Sequence, residues 1–291
     1  MPRRWVHFAD AEKRVTRRMA VAQEQALPRL IEADEPAAFE VVRGGAGRRL
    51  IIACDHAGRT IPRSLGTLGL EEQYLDDHIA WDIGAAGVAR ILCRRLGCVA
   101  VLGNYSRLVI DLNRQLDDAT AIPAISDGVL IPGNLNLGEL QRTQRIRELF
   151  MPYHEALHRE IMSMTSADHA PAMVNIHSFT PRQHGLDRPW DVGVLWDADA
   201  RLALPLMARL RSGGDLLVGD NEPYSGRHPA DFTADHHAER LGLACAGVEI
   251  RQDLVADPGG QTAWADRLAR ALEAVLDDEE LYRRAGAGTG D

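Results

Sequence analysis

The sequence predicts an α/β fold of three layers, helices covering both faces of a mixed central sheet. Three observations carry this. Short runs of buried-type residues alternate along the chain with amphipathic helical patterns. Two of those runs lead into a histidine, the place where an open sheet presents ligand-binding groups beyond its strand ends. No internal repeat or long linker divides the 291 residues, so one domain over 1–285 is expected, with a helical extension over about 1–35. The tail at 286–291 holds too few apolar side chains to order itself.

Taken in order, residues 9–30 read as a charged helix, followed by a strand at Phe39–Val42 and the glycines Gly44, Gly45 and Gly47. Leu50–Cys54 is a fully apolar strand that runs into Asp55-His56-Ala57-Gly58. Helical periodicity spans Ile83–Leu96, with Asp82 placed to cap it and Gly97 to end it. Strand-like runs follow at Cys98–Leu102 and Leu108–Leu112. Glu139–Met164 is helical, and Pro152 should kink or split it. Further strands are expected at Ala172–Ile176, which leads into His177, and at Asp191–Trp196, Leu216–Val218 and Gly247–Ile250. Helices are expected at Ala200–Leu210, Thr233–Leu241 and Thr262–Leu276.

Composition removes several function classes. Lys and Arg number 33 against 42 Asp and Glu, a net charge of −9 that argues against a nucleic-acid surface. Lys13 is the sole lysine and falls in the charged amino-terminal stretch. Schiff-base chemistry, a phosphate-binding loop lysine and a kinase strand lysine all need a lysine in the core. Cys54, Cys93, Cys98 and Cys245 have no disulfide or metal spacing and read as reduced thiols of a cytoplasmic protein. No apolar run is long enough for a membrane span.

His56 and His177, each at a strand end, could project into one crevice. Two imidazoles and a carboxylate with an open position make a catalytic zinc site. Within Asp76–Asp82 the favoured third ligand is Asp82, with His78 as its rival, and Asp82 could instead be only a helix cap. Glu249 alternates with Val248 and Ile250 in a strand, where a carboxylate is costly unless it has a partner or a task. It is either a desolvated general base near the metal or the partner of Arg251 or another arginine. In Tyr105–Arg114, Arg107, Asn113 and Arg114 could hold a substrate carboxylate or steady an oxyanion, and Asp111 could orient the arginines. The alternative there is a salt-bridge network. Glu222–Gly226 with Arg227 and His228 could form a lid, in which Tyr224 and Arg227 are ligand-capable. His236 and His237, on a charged helix, should face solvent. No GxSxG occurs, and Cys54 is too buried for a nucleophile.

Taken jointly, Asp55–Pro62, Ser106–Arg114, Ile176-His177-Ser178 and Val248–Asp253 resemble the N-formylglutamate amidohydrolase family, and more distantly the zinc carboxypeptidases and aspartoacylase-type deacylases. The resemblance implies a phosphorylase/hydrolase-type α/β fold with one zinc held by His56 and His177, and Glu249 as catalytic base. It implies that Arg107 polarises the scissile carbonyl while Asn113 and Arg114 bind the carboxylate of a small-molecule substrate. Where the carboxypeptidases carry a glutamate ligand three residues after the first histidine, this chain has Arg59, which leaves the third ligand to be inferred. The expected activity is hydrolysis of a small N-acyl amino acid. A metallopeptidase acting on peptides or cell-wall fragments would need a longer cleft. A non-catalytic binding protein on the same scaffold would have no use for the strand glutamate.

Overall fold

Seven strands form the central sheet of the computed structural model, which describes residues 29–285 apart from Ala46 and Ala230. They are β1 (Phe39–Arg43), β2 (Leu50–Cys54), β3 (Val99–Gly103), β4 (Ala172–Phe179), β5 (Val192–Leu195), β6 (Val218–Asp220) and β7 (Cys245–Arg251), in the order β1-β3-β2-β4-β7-β5-β6. Strands β3, β2, β4 and β7 run parallel, β1 and β5 are antiparallel to their neighbours β3 and β7, and β6 runs parallel to β5. The sheet is therefore mixed, as expected.

The unbroken apolar runs of β2 and β4 follow from burial on both faces. Leu50, Ile52 and Cys54 point into one core, and Ile51 and Ala53 into the other. The first core is closed by α1 (Ala85–Leu96), through Leu92 among others, and by two helices described below. A helical stretch on the other face comprises α2 (Glu139–Arg145), a wide π turn over Ile146–Phe150 and α3 (Met151–Ser163). Pro152 has no N–H and its ring crowds the preceding turn, so the helix widens just ahead of it and continues. Apart from a four-residue helix at Glu72–Leu75, the remaining α-helices among the described residues are α4 (Ala203–Arg211) and α6 (Pro258–Leu276), which join α1, and α5 (Phe232–His237), which joins α3.

Four expectations need correction. The run Leu108–Leu112 is a buried loop rather than a strand. Its carbonyls accept from side chains: Asn134 Nδ2 bonds Leu108 O at 2.8 Å and Arg145 Nη1 bonds Val109 O at 2.8 Å. A loop whose polar groups are satisfied in this way can be as apolar and as buried as a strand. Asp82 does not cap α1, which begins after Gly84 at φ 82°, where an added Cβ would lie 2.1 Å from the Val255 carbonyl oxygen. The strand expected at Leu216–Val218 lies at Val218–Asp220, because Asp191 and Leu217 pair just outside the ladder. His237 is 1% exposed, not solvent-facing, because α5 packs onto α3. The helix expected at 9–30 falls, except for its last two residues, outside the described residues, as does the tail at 286–291.

Candidate metal-dependent active site

Three parallel strand ends assemble the site. Asp55 and His56 follow β2, while His177 on β4 and Glu249 on β7 are direct register partners in adjacent parallel strands and so project from the same face. The segment before α1 folds over this edge, with the Asp82 amide bonded to the His56 carbonyl at 3.0 Å. Next, Ser106 Oγ bonds the Ala80 carbonyl at 2.8 Å and the Arg107 amide bonds the same oxygen at 3.2 Å, which draws the 105–114 loop onto it.

His56, Asp82 and His177 bring one donor atom each to within 4.8 Å of one another. Both imidazoles turn Nδ1 toward Asp82 Oδ2, His177 at 2.8 Å and His56 at 3.4 Å. Their Nε2 atoms face other carboxylates: His56 meets Asp111 at 2.7 Å and His177 meets Asp55 at 3.5 Å. Asp55 in turn accepts from Tyr153 Oη at 2.6 Å and Thr233 Oγ1 at 3.0 Å. The hydrogen-bonded Asp111 carboxylate behind His56 is the arrangement that fixes ring orientation and strengthens an imidazole as a metal ligand, while His177 Nε2 is buried without a hydrogen-bond partner. His56 Nδ1 is buried without a hydrogen-bond partner, and two imidazoles with one carboxylate suit a divalent transition metal, so the residues present fit such an ion. Of the two candidates in Asp76–Asp82, Asp82 lies with the two histidines, whereas the His78 ring turns away to Asp77 and, at 3.2 Å, to Asp127.

Charge in this cluster is strongly organised. Burial works against the Asp82 carboxylate, but His56 and His177 hold it well below the usual carboxylate range. Burial likewise opposes the charge of Asp111, which Arg107 and His56 hold low. His177 is pulled down by burial, but Asp55 and Asp82 raise it well above an ordinary imidazole. Glu249 differs: burial is the dominant influence and lifts it to about 7, although His177, His56 and Arg107 pull the other way. Its Oε2 is buried without a partner. Arg251, the first arginine considered as its partner, bonds Asp191 and Asp253 instead.

Arg107 joins the cluster through Asp111 Oδ2 at 2.7 Å and Asp82 Oδ1 at 3.5 Å. Asn113 is buried, its side-chain oxygen accepting from the Thr233 amide at 2.8 Å, and the neighbouring Arg114 bonds the Asn113 carbonyl at 3.0 Å. Tyr224 and Arg227 lie on an exposed loop after β6. Asn221 Oδ1 holds that loop to the end of β5 by accepting from the amides of Trp196 at 3.1 Å and Gly226 at 2.9 Å. Sequence reasoning missed the supports. Asp55 had a signal in its adjacency to His56, whereas Tyr153 and Thr233 lie on helices with nothing local to mark them.

The structure is thus a three-layer α/β protein whose mixed sheet carries, beyond its strand ends, a trio able to hold a metal ion and a glutamate whose Oε2 is buried without a partner. Residues 48–256 match the family model described as N-formylglutamate amidohydrolase; the chain belongs to that family and is a hydrolase acting on an amide. It is 24% identical over 242 residues to the N-formylglutamate deformylase of Pseudomonas aeruginosa, covering 78% of this chain and 89% of that protein. A crystal structure of a gene product from Agrobacterium tumefaciens is 36% identical, with a TM-score of 0.79 over 85% of this chain and 99% of the other. The N-formylglutamate amidohydrolase of Ralstonia eutropha, 17% identical, shares the fold with a TM-score of 0.60 over 83% of this chain and 98% of its own.

Proposed function

We propose that this chain is a zinc-dependent amidohydrolase that cleaves the amide of a small N-acyl amino acid of the N-formylglutamate type. The observation that carries the reading is the unpaired Glu249 carboxylate on the strand beside His177, next to the His56–Asp82–His177 trio. One zinc ion held by those three side chains would supply Lewis acidity toward the scissile carbonyl and the attacking water.

Glu249, lifted to about 7 by burial, takes a proton from that water near neutral pH and delivers it to the leaving nitrogen. Arg107, locked by Asp111, faces the charge that develops on the carbonyl oxygen. Arg114 holds the substrate carboxylate, and Asn113 fixes its loop through Thr233. In this reading Tyr224 and Arg227, on the exposed loop after β6, contact the substrate. The products are formate, or another short acid, and the free amino acid. Four unpaired, buried cysteines fit a reducing compartment, and the cytosol is the assigned location.

The test is metal content together with turnover of N-formyl-L-glutamate. Near-stoichiometric zinc and hydrolysis lost in Glu249→Gln are expected. Metal-free protein, or a Glu249→Gln variant that turns over within 10-fold of the wild type, would refute the assignment.

A further inference from the structure

Arg188 plays no part in the chemistry above, yet its surroundings are unusual. Just past His177, β4 ends at Phe179 and the chain makes a small hairpin pairing Arg182–Gln183 with Leu186–Asp187. The Arg188 amide closes this excursion on the Pro181 carbonyl at 2.8 Å, four residues beyond His177. The side chain is half-buried and held by neutral groups alone: Nη1 donates to Tyr224 Oη at 2.8 Å, Nη2 donates to Gln183 Oε1, and the guanidinium lies 4.7 Å from the centre of the Tyr224 ring. Among the described residues no carboxylate lies within 4.0 Å of it, whereas Arg43, Arg90, Arg107, Arg201, Arg251 and Arg267 each meet one.

The partner Tyr224 is fixed close to the reacting groups. Gly193 on β5 is the register partner of Glu249 on β7, and cross-strand partners share a face. An added Cβ at Gly193 would meet the Glu222 carbonyl oxygen at 1.9 Å, so only glycine lets the Glu222–Tyr224 turn lie against the sheet beside Glu249. Burial and Glu249 raise the Tyr224 phenol, while Arg188 and Arg107 lower it, as expected of a ring between the catalytic groups and Arg188.

From this geometry we propose that Arg188, oriented by Tyr224, is the specificity-determining residue that binds the side-chain carboxylate of an acidic N-acyl amino acid. The assignment rests on the amidohydrolase reading given above. Arg107 is already committed to Asp111 and Asp82, and Arg114 takes the α-carboxylate, so a dicarboxylate substrate needs a further guanidinium. Arg188 has N–H groups beyond the two it uses, in the planar fork that matches a carboxylate. Ordering a positive charge with a phenol and an amide keeps it in place without neutralising it.

The experiment compares two substrates that differ only in that charge, N-formyl-L-glutamate and N-formyl-L-glutamine. In the wild type the acidic one is preferred, and Arg188→Gln lowers the ratio of the two kcat/KM values roughly 10- to 100-fold, mainly through KM for N-formylglutamate. Tyr224→Phe, which keeps the ring and removes the hydroxyl, gives a smaller fall in the same ratio. An unchanged ratio in Arg188→Gln, whether both substrates suffer equally or neither does, overturns the assignment. Calorimetric binding of L-glutamate against L-glutamine to the zinc-loaded protein separates this inference from the one beneath it. If the wild type hydrolyses neither formyl substrate, the proposed activity falls. Arg188 then stands only if a binding preference for glutamate is present and disappears in Arg188→Gln, and it falls if wild type and variant bind the two alike.

Discussion

His56 and His177 lie with ring centroids 5.2 Å apart, and His154 on α3 lies 5.2 Å from His237 on α5, stacked at 15°. All four rings are at most 3% exposed. The first pair faces Asp82, Asp111 and Asp55, and the second faces Phe150, Phe232 and the Leu112 carbonyl, which accepts from His154 Nε2 at 2.9 Å. With Nε2 donating there, a neutral His154 accepts at Nδ1 from His237 Nε2, 2.9 Å away. Burial alone pulls an imidazole down: His154 falls to about 4, and His237 falls well below its usual value, pushed further by His154, His236 and His158. Carboxylates reverse the effect in the first pair, where Asp111 and Asp82 leave His56 above its usual value despite burial and Arg107. Burial with neighbouring histidines holds the proton affinity of the second pair down, and the carboxylates around the first pair raise it.

The difference can be broken most sharply by exchanging the two roles. His177→Ala should remove stoichiometric zinc and bring hydrolysis to background, while His237→Ala should keep its zinc and lose stability. Zinc retained in the first variant, or lost in the second, would erase the distinction; elemental analysis beside thermal melts decides. Glu249→Gln, next in size, should lower kcat roughly 10²- to 10⁴-fold with zinc unchanged. Asp111→Asn should weaken zinc binding roughly 10- to 100-fold, read by chelator competition, because the supporting bond to His56 is altered and the ligand atoms are not.

The second pair is read in stability against pH. His154 has a folded pKa of about 4 against a usual 6.5, so below 6.5 the unfolded chain takes up a proton that the folded chain refuses. Stability is therefore full above about 6.5 and declines on acidification toward 4, by on the order of 3 kcal/mol from this group. His154→Leu should flatten that part of the profile while costing about 1–3 kcal/mol at pH 8 through the unpaired Leu112 carbonyl and His237. A slope in denaturant titrations that survives the substitution would show that other groups carry it.

Much of this contrast was legible beforehand, on one side only. His56, His177 and Glu249 stand out because each interrupts or ends an apolar run, where a polar group needs a reason. His237 sits in Ala234-Asp235-His236-His237-Ala238-Glu239, whose polarity reads as a wet helix face, although α5 is short and its inner face meets α3. Leu108–Leu112 has the composition of a strand, and what prevents one is a pair of distant side chains, Asn134 and Arg145, that occupy its carbonyls. Arg145 itself is 1% exposed, and burial among neutral acceptors lowers it to about 10, a position that no local pattern announces.

The alternation of apolar runs and amphipathic segments determined the layered α/β architecture, because burying a sheet on both faces and a helix on one face imposes those patterns locally. It likewise marked the strand ends that carry His56, His177 and Glu249. Tertiary structure decided everything that depends on which elements become neighbours. Among the described residues it gathered Asp82, rather than His78, with the two histidines, brought Asp111 to His56 and Asp55 toward His177, left Glu249 Oε2 without a hydrogen-bond partner, and carried Arg188 to Tyr224. The physical reason is that periodicity records only whether a residue is buried, whereas ligation, ion pairing and proton affinity depend on which groups surround it at a few ångströms, and those come from remote parts of the chain.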